Sequence, residues 1–77
     1  MKPLSQGAIE FVHGIYQHYK GNRYQTLFIA RNSETLEELV VYQDMKEPEK
    51  VWCRPLQMFL EEVHIDGKDL KRFTKIN

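Results

Sequence analysis

Apolar residues fall along this 77-residue chain in short runs separated by polar and glycine-containing stretches. Ile15 to Tyr19 is rich in aromatic and β-branched residues and predicts a strand. Lys20-Gly21-Asn22 predicts a hairpin turn, because Gly and Asn tolerate the positive φ that tight turns require. Arg23 to Arg31 then reads as a second strand with its apolar run, Leu27-Phe28-Ile29-Ala30, in the middle. Asn32-Ser33-Glu34-Thr35 is a loop of side chains that bond to backbone. Thr35-Leu36-Glu37-Glu38 could start a helical turn, but Leu39-Val40-Val41-Tyr42 follows at once and favours a third strand. Asp44 to Lys50 is a polar connection containing Pro48. Val51-Trp52-Cys53-Arg54 is a short fourth strand stopped by Pro55. Behind that proline, Leu56, Phe59 and Leu60 sit at helical spacing and predict one helical or 3₁₀ turn. Val63-His64-Ile65 alternates as a fifth strand. Asp66-Gly67 is a second turn signal, and Leu70 to Ile76 is a possible last edge strand.

This order predicts a mainly β fold: a small SH3-like five-stranded barrel with one short helical turn. Closing the sheet suits a chain this short, because it removes exposed strand edges. An α+β roll is the alternative, and would need real helices at 5–12 or 35–38. Residues 1–12 read as a lead-in, in which Ser5 can cap a short helical turn. Residues 13–77 read as a single domain. The expected core is Leu27, Ile29, Val41, Val51, Leu56, Phe59 and Val63.

Composition narrows the class. Apolar residues make up 42% and charged residues 29%, which is neither a disordered nor a membrane-spanning composition. No apolar run approaches the roughly 20 residues of a spanning helix. Met1 to Gly7 lacks an apolar signal core, and the lone Cys53 fits a reducing compartment. The expectation is a cytoplasmic protein with no membrane contact. Net charge is zero but unevenly spread: +3 over residues 1–32, −6 over 33–66 and +3 over 67–77. A dedicated nucleic-acid binder carries a stronger basic bias.

Candidate chemistry is sparse. His13, His18 and His64 lack any metal-ligand spacing. Cys53, between Trp52 and Arg54, is expected to be a buried inert thiol. Glu37-Glu38 and Glu61-Glu62 are adjacent pairs whose side chains diverge, and general acid–base work needs convergent carboxylates. Gly7, Gly14, Gly21 and Gly67 are isolated, so no phosphate loop exists and no cofactor is expected. The informative set is aromatic residues interleaved with cations. By strand periodicity Tyr16 and His18 share one face, as do Trp52 and Arg54. Arg31 and Glu34 flank the loop after strand two. The expected ligand site is therefore Tyr16, His18, Arg31, Glu34, Trp52 and Arg54, since guanidinium groups beside aromatic rings suit carboxylate, phosphate or base ligands.

The stretch from Gly14 to Phe73 resembles the small bacterial family catalogued as domain of unknown function 1653. The matching pieces are Gly14-Ile15-Tyr16-Gln17-His18-Tyr19-Lys20-Gly21-Asn22-Arg23-Tyr24, Ala30 to Tyr42, Trp52-Cys53-Arg54-Pro55-Leu56-Gln57-Met58-Phe59, and Val63 to Lys68 with Arg72-Phe73. The chain departs from the family pattern at Asn32, where the family carries histidine, and at Cys53, where it carries valine. The resemblance implies a bacterial cytoplasmic protein and brings no catalytic residue. The expected function is a non-catalytic binding or interaction module for a peptide, protein or nucleic acid, as a monomer or weak homodimer. The alternative is a small enzyme or enzyme-accessory domain using His18, Arg31 and Glu34.

Overall fold

The computed structural model describes residues 3–77; Met1 and Lys2, which belong to the lead-in and its charge count, lie outside the described residues. The elements are α1 (Gln6–Glu10), β1 (Ile15–His18), β2 (Arg23–Arg31), β3 (Glu38–Asp44), β4 (Val51–Pro55), α2 (Leu56–Leu60), β5 (Glu62–Ile65), β6 (Lys68–Lys71) and β7 (Phe73–Lys75). Ser5 caps α1 by accepting the Ala8 N–H on its Oγ at 3.2 Å. Gly21 turns the chain from β1 to β2 at φ 111°, and Asp66 and Gly67 both take positive φ between β5 and β6, as a two-residue hairpin turn requires.

Five strands form one antiparallel sheet in the order β4-β3-β2-β1-β7, and β5 and β6 form a separate hairpin. The fold is thus mainly β, with five strands in its main sheet and a helical turn after the fourth. Two expectations are corrected. The barrel does not close, because β4 and β7 are unpaired edges. The fifth strand of the sheet is Phe73–Lys75, which pairs with β1 in the register Tyr16 to Lys75 and His18 to Phe73. Residues 62–65 pair only with 68–71, and the stretch expected as one strand over 70–76 is divided between the two sheets. The sheet nonetheless curls strongly, since Arg54 on one edge strand lies 5.5 Å from the ring centre of Phe73 on the other.

A bulge accounts for much of the difference between the expected and observed cores. The β2–β3 register runs Thr26 to Tyr42 and then Phe28 to Val41, leaving Leu27 as an extra residue. Thr26 and Ile29 therefore face inward while Phe28 faces out. The buried apolar set is Ala8, Tyr16, Val40, Tyr42, Leu56, Phe59 and Phe73, with Phe11, Tyr24 and Ile29 packed against it. Leu56 and Phe59 are buried as expected. Leu27 and Val51 are exposed, and Ile29, Val41 and Val63 are only half-buried. In the uniformly apolar run Leu39–Tyr42, alternation leaves Val40 and Tyr42 inside, so Val41 falls outside. Val51 is on the outer side of an edge strand, and Val63 is in the detached hairpin. Phe59 stacks on Phe73 with ring centres 4.1 Å apart and meets Phe11, Tyr16 and Tyr42 edge-on.

Candidate functional site

The pairing register decides which side chains share a face, because residues directly opposite in antiparallel strands project to the same side. On the inner face Thr26, Tyr42 and Trp52 form one row, and Ile29, Val40 and Arg54 the next. On the outer face Phe28, Val41 and Cys53 form a row, as do Ala30, Leu39 and Pro55. Trp52 projects from the edge strand on the inner side, where the helices do not cover it, and remains 51% exposed. Phe28, at 55%, is similarly open on the other side. Cys53 is exposed on that outer face, which corrects the expectation of a buried thiol.

Around Arg54 the inner face becomes cationic. The guanidinium rests on Phe73, and its Nε donates a long hydrogen bond, 3.4 Å, to the Tyr42 hydroxyl. It forms no ion pair with a carboxylate among the described residues. His18 meets the same Phe73 ring edge-on at 5.0 Å. Its Nδ1 accepts the Lys20 N–H at 3.1 Å, which places the ring proton of the neutral form on Nε2. Burial lowers the His18 pKa below its ordinary value, and the positive charges of Arg54, Arg72 and Lys20 lower it further. Arg72 is committed elsewhere: its Nη2 donates to Glu61 at 2.7 Å and its backbone N–H to the Glu61 carbonyl, clamping the base of the β5–β6 hairpin.

The six residues expected to form a site divide into separate groups. Tyr16 is a core residue whose hydroxyl donates to the Val12 carbonyl at 2.6 Å, and burial raises its pKa. His18 and Arg54 converge on Phe73, with Trp52 beside Arg54 on the same face of β4. Arg31 is the last residue of β2, opposite Glu38, and Glu34 follows in the loop beyond it. His18 lines a depression of about 370 Å³ with Tyr19, Leu70 and Thr74, whereas Arg31 lines another of about 220 Å³ with Pro3, Ser5, Leu36 and Glu38. The loop holding Glu34 is pinned by Asn32, whose Oδ1 accepts the Glu34 and Thr35 amides. The three histidines lie apart: His13 bonds Thr26 Oγ1 and His64 bonds Asp69. Among the described residues no three His, Cys, Asp or Glu side chains gather as metal ligands would, and no helix is long and apolar enough to cross a membrane.

Sequence reasoning missed the backbone edge of β4. The Asp44 N–H donates to the Lys50 carbonyl at 3.0 Å. Hydrogen-bonded pairs alternate along an antiparallel ladder, so Trp52 and Arg54 bond to β3 while the N–H and C=O groups of Val51 and Cys53 point away from the sheet. Pro55 falls on the same outward-pointing side, where its missing N–H removes no ladder bond. A proline ending an apolar strand is the sequence signal of an edge.

No curated protein matches the chain. The family model described as a protein of unknown function, DUF1653, matches residues 14–75. A DUF1653 protein from Bordetella bronchiseptica, solved by crystallography, is similar with a TM-score of 0.80 and 33% sequence identity, over 90% of this chain and 91% of that one. The chain belongs to the DUF1653 family.

Proposed function

We propose that this protein is a non-catalytic interaction module that binds an extended polypeptide along the edge of β4. The observation that carries the reading is the pairing of two features on one strand. Val51 and Cys53 present unbonded backbone donors and acceptors, and the neighbouring Trp52 and Arg54 supply an exposed indole and a guanidinium without a carboxylate partner. Strand addition takes affinity from main-chain hydrogen bonds and specificity from alternate side chains. Here the alternation has two chemistries. Ligand residues beside Cys53 meet the apolar outer row, and those beside Trp52 and Arg54 meet a cationic aromatic surface. Apolar residues alternating with acidic ones fit both.

A zero net charge weighs against an extended nucleic acid, whose binding draws on many phosphate contacts. His18 and Arg31 line different depressions, which weighs against one catalytic constellation built from both. The order of four strands and a helical turn is that of SH3-like modules, which supports the reading by analogy of plan alone. The single cysteine supports a reducing, cytoplasmic setting, and the similar protein from Bordetella bronchiseptica supports a bacterial one.

A synthetic heptapeptide alternating valine and glutamate tests the proposal. Titrated into isotopically labelled protein, it should shift the Val51 and Cys53 amides and the Trp52 indole, whereas the same peptide with lysine for glutamate should not. Shifts confined to the Arg31–Glu38 loop, or none from either peptide in monomeric protein, would sink it.

A further inference from the structure

The β4 strand is complementary to itself. Written from Val51 to Pro55 it reads Val-Trp-Cys-Arg-Pro, and a two-fold axis through Cys53 turns it antiparallel onto a second copy. In that register Cys53 faces Cys53 of the second copy, Trp52 faces Arg54, and Val51 faces Pro55. We propose that the polypeptide this edge takes is β4 of a second copy of the same chain, which rests on the strand-addition reading and names its partner.

The backbone chemistry fits this register. The outward N–H of each Cys53 donates to the Cys53 carbonyl of the second copy. Pro55, opposite Val51, has no N–H to offer and as the N-cap of α2 turns its carbonyl into the helix, so the outward Val51 groups stay with water and the Cys53 pair carries the backbone bonds. The side chains fit as well. Trp52 and Arg54 become a close, non-hydrogen-bonded pair, the arrangement in which opposing side chains approach most closely. An exposed indole thereby covers a guanidinium that has no carboxylate partner within its own chain, and each copy supplies both halves, as an isologous interface requires. On the outer face the row Phe28, Val41 and Cys53 continues into the same row of the second copy. The other edge offers no such match. β7 has three residues and ends on Lys75, and short, lysine-bearing edges resist pairing.

Charge complementation at the two-fold axis tests the register. Position 53 is exposed within one chain, so Cys53→Lys and Cys53→Glu should fold with little change in melting midpoint. Wild type should sediment at twice the 9.2 kDa chain mass at high micromolar concentration. Each variant alone places like charges directly opposite and should weaken association at least tenfold, whereas an equimolar mixture of the two should recover the double mass. Dimeric single variants, or a mixture that stays monomeric, would overturn this register. A monomeric wild type that still binds the valine–glutamate heptapeptide would overturn the second copy and leave strand addition standing. A monomer that binds no peptide would overturn both.

Discussion

Phe59 and His18 carry the clearest consequences at the level of single residues, because both meet Phe73. Phe59 is 1% exposed and touches four other aromatic rings. Truncating a buried phenylalanine costs ~3–5 kcal/mol, against ~4–12 kcal/mol for a whole domain of this length. Phe59→Ala should lower the thermal midpoint by tens of degrees or leave the chain unfolded at room temperature. A wild-type melting curve would show that the ring is not the centre of the core. His18 sets a pH dependence whose sign follows from its lowered pKa. The unfolded chain takes up the His18 proton near the ordinary value of 6.5, before the folded chain does, so the contribution of this group is fully present above that pH. It is lost as pH falls from there through the lower folded value. His18→Asn keeps a side-chain acceptor near the Lys20 amide and removes the titration. Its midpoint should fall less than that of wild type between about pH 7 and pH 5, and parallel curves would count against the assignment.

At the scale of elements, the strands whose signals are local were legible and those set by distant pairing were not. Tyr16, His18 and the β-branched and aromatic residues of β2 to β4 announce extended chain, and Gly21 and Gly67 announce the turns between strands. Pro55 and the spacing of Leu56, Phe59 and Leu60 announce α2, which begins one residue after the proline. The bulge at Leu27 left no comparable mark, because every residue from Leu27 to Ala30 is apolar and either face could be the buried one. The choice falls to cross-strand packing of Tyr42 and Val40, which no local pattern encodes. Likewise nothing near Phe73 says that it pairs with His18, fifty-five residues earlier in the chain. The candidate site was half-legible for the same reason. Period two places Trp52 beside Arg54 and Tyr16 beside His18, but no local pattern says that His18 and Arg31 line different depressions. The β5–β6 hairpin makes a prediction of its own. The Glu61–Arg72 clamp closes its base, the Tyr19 N–H ties that base to the main sheet through the Arg72 carbonyl, and Gly67 adopts φ 78° at its tip. Gly67→Ala should speed amide exchange across Glu62–Lys71 while barely moving the global midpoint. An equal loss in β2 and β3 would mean that the hairpin unfolds with the sheet.

For the molecule as a whole, the Cα radius of gyration is 13.0 Å, against ~11.5 Å for a compact chain of this length. The excess fits a projecting hairpin and a sheet covered on one side only. So small a chain buries a limited core, and it spends its two short helices on the inner face, leaving Phe28, Val51 and Trp52 open. The inequality of the two sheet edges then sets a valence. A sheet with two equally receptive edges can add copies at both and grow into a fibre. With β7 short and ending in lysine, each chain has one receptive edge in its main sheet. The proposed two-fold pairing through β4 would consume it on both partners, so this mode of association would stop at two and give a closed particle instead of a polymer.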